Sequence, residues 1–192
     1  MIEVLSPRQL EAARPAGRFV GTTLAELRRR TEPGTNLLDI DRWVPDAAIS
    51  FVVGDKVDPE DQRIIDATRQ ALVAGIAAAG TGTRIGDISA AIGGTLIGAG
   101  YAVNSDFGGH GVGSTMHQDP HVPNNGLPGR GYPLKTGLLL AIEPWVMRDT
   151  DRLMVDDDGW TLRSATGCRT AHAEHTIALT PTGPEILTLA DA

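Results

Sequence analysis

Apolar positions in the first half of the chain recur at helical spacing, whereas those in the second half gather in short runs typical of strands. Ser6-Pro7-Arg8-Gln9 supplies an N-cap, a proline at the first helical position and a glutamine at the third. A helix is predicted from there to about Arg30, with Phe19, Val20, Leu24 and Leu27 as its apolar positions. Pro15 falls inside that pattern, where it removes a backbone hydrogen bond, so a kink or a fresh start is expected there. The run Arg28-Arg29-Arg30 reads as a solvated last turn favoured by the helix dipole. Asp58-Pro59-Glu60-Asp61 opens a second helix that carries Ile64, Ile65, Ala71, Leu72, Val73 and Ile76 to a stop at Gly80. Ser89 to Ile97 continues as a third. Strands are predicted for Ala47 to Val53, which ends at Gly54, and for Leu138 to Val146, Thr161 to Arg163 and His172 to Thr180. Glycines and prolines between Asn124 and Gly137 mark a loop, and Asp156-Asp157-Asp158 before Gly159 marks a polar hairpin turn.

The pattern also repeats. Pro33-Gly34-Thr35-Asn36-Leu37-Leu38-Asp39-Ile40 resembles Thr81-Gly82-Thr83-Arg84-Ile85-Gly86-Asp87-Ile88, and each copy follows an amphipathic helix of similar length. This is the signature of a duplicated helix-turn-helix unit. The copies diverge afterwards, because Asp87-Ile88 runs on into a full helix while Asp39-Ile40 reaches only Asp41-Arg42-Trp43-Val44 before Pro45. Either the repeat is asymmetric or a segment is missing after Trp43.

Composition narrows the function. The chain has 192 residues, 41% hydrophobic and 21% charged, which suits one globular domain with an aliphatic core. Its net charge of -7 is a poor balance for gripping phosphate backbones, so nucleic acid is not expected as a primary partner. No apolar run is long enough for a membrane span and the start lacks a signal-peptide pattern, so a cytoplasmic protein without membrane partners is expected. The single cysteine, Cys168, precludes an intrachain disulfide and a four-cysteine zinc module.

Chemistry concentrates in a few places. His110, His117 and His121 fall close together, and His110 sits among small residues in Gly108-Gly109-His110-Gly111-Val112-Gly113. Glu143 is the one acid inside Leu138 to Val146, and a buried carboxylate there requires an arginine partner or a metal. Alternation along Thr170 to Ile177 puts His172, Glu174 and Thr176 on one face and His175 on the other. Asp46 precedes the predicted strand that begins at Ala47. One histidine and three carboxylates from separate strands make a nitrogen-and-oxygen site for a divalent transition metal, which activates water and polarises carbonyls.

Three motifs, GGHGVGSTMHQDPHVPN from Gly108, AIEPWV from Ala141 and AHAEHTIALT from Ala171, follow one another as in the type I methionine aminopeptidases, the family that this chain resembles. The stretches AGRFV from Ala16 and GTNLLDIDRW from Gly34 look most like actinobacterial members. The resemblance implies an α+β pita-bread fold, in which an antiparallel sheet carries two pseudo-symmetric helix pairs, with the first half truncated. It implies a single catalytic domain over residues 1–192 that lacks a segment between Trp43 and Asp46. It makes Asp46, His110, Glu143 and Glu174 metal ligands, Asp46 and Glu174 bridging two metals. Glu143 is then also the acid that exchanges a proton with the nucleophilic water, and His117 contacts substrate and helps stabilise the tetrahedral intermediate. Trp160 matches a tryptophan at the pocket rim, and His172, where relatives carry glutamine, is expected to line the substrate pocket rather than to act as an extra ligand or a donor to one.

The implied activity is removal of the initiator methionine from nascent chains by a monomer acting near the ribosome. Cobalt, manganese, iron and zinc are equally compatible with the donor set. The family's first ligand aspartate and one pocket histidine belong to the stretch lost between Trp43 and Asp46, so one metal is expected to be well held and the second weakly or not at all. That loss also exposes a sheet edge. The alternative is a catalytically inactive pita-bread relative that serves as a binding or remnant protein.

Overall fold

A computed structural model describes residues 2–35, 47–104, 106–159 and 161–190 of the chain. Helix α1 (Pro7–Arg30) opens on the predicted capping box, with the Gln9 amide donating to Ser6 Oγ at 3.4 Å and the Ser6 amide donating to Gln9 Oε1 at 3.0 Å. It runs through Pro15 without a break, contrary to the expected restart. Tertiary contacts on both sides of the proline hold it: before it, Leu10 packs with Leu139, Ala178 and Leu187 and Arg14 pairs with Glu185, and after it Gly17 lies so close to Leu187 that a Cβ would collide with it. Phe19, predicted as an apolar face position, points to solvent and is 69% exposed. The three arginines at the end are exposed as expected, and Arg29 and Arg30 both pair with Glu26.

Helix α2 (Pro59–Ala78) is capped by Asp58, whose carboxylate accepts the Glu60 amide at 2.9 Å. Helix α3 (Ile85–Gly98) starts four residues earlier than its predicted core, directly after the repeated turn. That turn is real in both copies: Gly34 and Gly82 adopt φ of 97° and 94°, and the Thr35 and Thr83 amides close on Glu32 and Gly80. Residues with a Cβ rarely adopt this left-handed conformation, which explains the glycine at the same place in each copy. The continuation of the first copy after its turn, residues 36–46, lies outside the described residues, and with it the junction near Trp43 and Asp46.

Among the described residues ten strands follow in chain order: β1 (Ala102–Val103), β2 (Gly108–Val112), β3 (Gln118–Pro123), β4 (Leu139–Ile142), β5 (Trp145–Met147), β6 (Leu153–Val155), β7 (Leu162–Ser164), β8 (Thr170–His172), β9 (His175–Thr180) and β10 (Gly183–Ile186). They form an antiparallel five-stranded sheet ordered β10-β9-β4-β2-β3, a three-stranded sheet ordered β1-β5-β8, and the β6-β7 hairpin around the triple-aspartate turn. Two runs predicted as single strands are thus each split, one at Glu143-Pro144 and the other at Ala173-Glu174. The segment 47–53, also predicted as a strand, has none assigned; it runs beside β8, tied by the Glu174 amide to the Ala48 carbonyl at 2.9 Å.

Alternation along β4 divides the sheet's two faces. Leu138, Leu140 and Ile142 join the main core with Ile64, Leu72, Ile88, Ile92 and Leu96 of α2 and α3, whereas Leu139 turns to the α1 side. Ala141 and Glu143 therefore share the face of Leu139, away from the two core helices.

Asp87, the acid of the second repeat copy, fastens α3 to the loop after β3. Its carboxylate accepts the Arg84 amide at 2.7 Å and the Gly129 amide at 2.7 Å. These bonds, first to Arg84 and then to Gly129, hold its carboxyl below the ordinary value of 3.8. Because the folded state favours the ionised form, this contribution is present above pH 3.8 and is lost as pH falls below it toward the folded-state value. The urea midpoint of the wild-type chain is accordingly expected to drop in that acid range more steeply than that of Asp87→Asn, and equal slopes would contradict the role given to Asp87.

Candidate metal centre

The split in the two strands builds the site. β4 pairs with β9 through Ile142 opposite His175, and β5 pairs with β8 through Trp145 opposite His172. Both ladders keep one register, so in the gap between them Glu143 stands opposite Glu174 and Pro144 opposite Ala173. Pro144 has no N–H to donate, and the Ala173 amide reaches its carbonyl only at 3.4 Å. The remaining backbone groups of the gap are taken up from outside. Asn124 Nδ2 donates to the Glu143 carbonyl at 3.0 Å, and the Glu174 amide goes to Ala48.

Like charges directly opposite in an antiparallel pair repel, and both acids are largely withdrawn from water, with side chains 12% and 6% exposed. The neighbouring strand adds a histidine rather than an arginine. His110 lies opposite Ala141, which puts its ring on the Glu143 face. Its Nδ1 is 2.9 Å from the Gly111 carbonyl, an acceptor only, so Nδ1 carries a proton and Nε2 is the ring nitrogen turned to the acids. Nε2 stands 3.7 Å from Glu143 Oε1, too far for a hydrogen bond. His110, Glu143 and Glu174 each offer a ligand atom within 4.8 Å of the others. A ring nitrogen and two carboxylates converging in this way are a donor set for a divalent cation, and a partly buried group of this kind is costly without one.

The backbone around His110 comes unusually near its neighbours. A Cβ on Gly109 would collide with the Ala141 carbonyl, and that close approach keeps β2 against β4.

The other predicted residues distribute as follows. His117 is exposed and its ring lies against that of His110, with centroids 4.3 Å apart. With His121, Phe107, Trp145 and the β6-β7 residues Val155 and Leu162, these rings line a cavity of about 700 Å³ that opens onto Glu143. Trp160 is outside the described residues, but its neighbours Gly159 and Leu162 line the same cavity. His172 is on the same side as Glu174, as alternation predicted, with Nε2 4.0 Å from Glu174 Oε2 and 3.3 Å from Glu143 Oε2. His175 is not part of the group: its Nδ1 meets Thr188 Oγ1 at 2.9 Å, and burial holds its imidazole below the ordinary histidine value.

Four contributors were not anticipated from sequence. Trp145 Nε1 donates to Glu143 Oε2 at 3.0 Å, and Phe107 stacks on the Trp145 ring with centroids 5.1 Å apart. Glu143 and Trp145 are two residues apart, so strand alternation already put them on one face. Ser50 Oγ accepts the His172 amide at 2.9 Å and donates to the His172 carbonyl at 2.8 Å, and Asn124 holds the Glu143 carbonyl as described. Ser50 and Asn124 carry no local signal, because their partners lie far along the chain.

The fold and this donor group define a metallohydrolase scaffold of the pita-bread type. The chain belongs to metallopeptidase family M24, whose model matches residues 37–181. It is 47% identical over 156 residues to methionine aminopeptidase 1 of Mycobacterium tuberculosis, covering 78% of this chain and 58% of that protein. Methionine aminopeptidase of Clostridium acetobutylicum is 30% identical across the whole of both chains. That match runs over 251 aligned positions, more than the 192 residues of this chain. The chain spans less than three fifths of the M. tuberculosis and Clostridium perfringens relatives, at 58% and 57% of their lengths. Among solved structures, methionine aminopeptidase from Thermotoga maritima superposes with a TM-score of 0.93 at 30% identity, covering 98% of this chain and 100% of that one. Prolidase from Pyrococcus horikoshii, at 14% identity, shares the fold with a TM-score of 0.77 over 98% of this chain and 64% of its own.

Replacing Trp145 with phenylalanine removes the N–H that Glu143 accepts while retaining an aromatic ring for Phe107. Hydrogen bonds to metal-ligating carboxylates contribute about 10–100-fold to metal affinity. Trp145→Phe is therefore expected to weaken manganese(II) binding about tenfold with unchanged circular dichroism, as read by calorimetric titration. Undiminished affinity would show that the indole does not orient the carboxylate.

Proposed function

We propose that the chain is a metal-dependent aminopeptidase that removes N-terminal methionine from newly made polypeptides. The observation that carries the reading is the convergence of His110, Glu143 and Glu174 at a break in the sheet. By resemblance, Asp46 would be the fourth residue to hold an ion, together with His110, Glu143 and Glu174. One ion would then be held well and a second weakly or not at all. The physiological ion is a first-row divalent metal such as cobalt, manganese, iron or zinc.

A divalent ion in such a donor set acidifies water and polarises a carbonyl oxygen. The chain's own groups do the rest. Glu143 accepts the proton of the attacking water and returns it to the leaving amine, with the Trp145 indole holding one of its oxygens. His117, at the cavity wall, donates to the substrate as the scissile carbonyl becomes tetrahedral, and the oxyanion character developing there makes that contact strongest in the transition state. Phe107, His121 and, by resemblance, Trp160 enclose the methionine side chain, while His172 stands outside the cavity lining, beside Glu143. No helix among the described residues is long and apolar enough to cross a membrane. This is in keeping with a cytoplasmic monomer that meets its substrate near the ribosome. The domain is a single unit whose first arm lacks a segment between Trp43 and Asp46.

The test is cleavage of a Met-Ala-Ser peptide by the chain loaded with manganese or cobalt. Turnover is expected, and Glu143→Gln is expected to lower it by about 10²–10⁴-fold, the range of general acid-base contributions. Metal bound in stoichiometric amount with no release of methionine would overturn the enzyme reading in favour of a non-catalytic binding or remnant protein.

A further inference from the structure

We infer that His172 is a metal ligand of this chain, which gives the centre two imidazoles, one on each oxygen of Glu143. The inference rests on the metal reading above and extends it to a residue for which a glutamine stands in the relatives that the motifs resemble.

The ring of His172 is held where a ligand would be. Its residue is clamped by Ser50, which accepts from its amide and donates to its carbonyl, and the ladder fixes it opposite Trp145. Its ring leans on the Trp145 indole, with centroids 4.8 Å apart and planes at 49°. Nε2 is buried and makes no hydrogen bond. It nevertheless stands 3.3 Å from Glu143 Oε2 and 4.0 Å from Glu174 Oε2.

A hydrogen bond to Glu143 does not account for this arrangement. The Oε2 atom already accepts the Trp145 indole N–H at 3.0 Å, and the His172 contact lacks hydrogen-bond geometry. A shared cation does account for it. Two donors each about 2.1 Å from one ion in tetrahedral array stand ~3.4 Å apart. The two Nε2–carboxylate separations, 3.3 and 4.0 Å, are in that neighbourhood. His110 faces Oε1 of Glu143 and His172 faces Oε2, so the carboxylate is flanked by imidazole nitrogens on both sides. A second imidazole adds a neutral donor, beside His110, to the facing carboxylates of Glu143 and Glu174.

The full chain, grown with isotope-labelled histidine and loaded with an NMR-active cadmium isotope, tests this directly. Scalar coupling to cadmium splits the Nε2 resonance of each ligating histidine, whether one ion or two are bound. Two of the five histidines are expected to show the splitting. One split resonance is expected to vanish in His172→Gln and to persist in His117→Gln, and manganese affinity is expected to fall at least about tenfold in His172→Gln. A single split resonance in the wild-type chain, or loss of the second one in His117→Gln instead, overturns the assignment of His172 and leaves the metal reading standing. No cadmium or manganese binding at all overturns both.

Discussion

Two carboxylates face each other across a break in an antiparallel ladder, and the rest of the site is arranged around that unfavourable pairing. At the effective dielectric of a partly buried site, two like charges about 4 Å apart repel by roughly 4 kcal/mol. A protein interior tolerates such a pair where protons or a cation come between the charges, and no basic side chain of Lys or Arg type lines the cavity here. Glu143 and Glu174 form a non-hydrogen-bonded pair of the register, the type in which side chains stand closest, and their outward-facing backbone groups are taken by Asn124 and Ala48.

That arrangement is held rigidly because each of its edges belongs to a packed element. Leu140 and Ile142 are fully buried against α2 and α3, Val146 is nearly so, and Ala171 and Ile177 anchor the opposing strand. Truncating a buried isoleucine or leucine typically costs about 2–5 kcal/mol, so displacing several of these anchors together to relieve the carboxylates would cost more than the relief returns. His110 is fixed in the same way, by the glycine contact that brings β2 against β4 and by its own bond to Gly111. Preorganisation of this kind is what allows a donor set to select an ion by geometry rather than by collapse around it.

What could be read from the sequence was whatever is encoded locally. The Ser6–Gln9 box, the Asp58 cap and the repeated turn at Gly34 and Gly82 each involve residues within a few positions of one another, and all are present. Alternation likewise put His172 and Glu174 together, even though the strand carrying them is split. The split had a local signal that the apolar pattern overrode: Pro144, inside the run read as one strand, has no N–H for the ladder. Residues 47–53 were not legible, because their apolar, β-branched character suggested a strand but they engage β8 through the Ser50 side chain and the Ala48 carbonyl instead of a ladder. Pro15 and Phe19 show the converse: local preference argued for a break and a buried ring, and the docking of Leu10 and Arg14 decided otherwise. Trp145 was within reach of the same alternation that found Glu174, but tryptophan in an apolar run reads as core until its N–H is seen to meet a carboxylate.

The distribution of groups along the chain separates holding a cation from acting on a substrate. His110, Glu143, His172 and Glu174 all come from the strands after α3, whereas the described part of the first half contributes only the Ala48 carbonyl and the Ser50 hydroxyl, which secure the ladder break and the His172 backbone. The repulsion that calls for a cation thus arises entirely within the second half. Shortening the first arm leaves it intact. Substrate capture has a different origin, because the cavity in front of Glu143 is walled by Phe107, His117 and His121 on one side and by the β6-β7 hairpin on the other. Those walls also lie after α3 in the chain, but they are made by rings and a hairpin rather than by the paired acids. Holding a cation and shaping the cavity therefore rest on different residues, and a substitution in one group can leave the other in place.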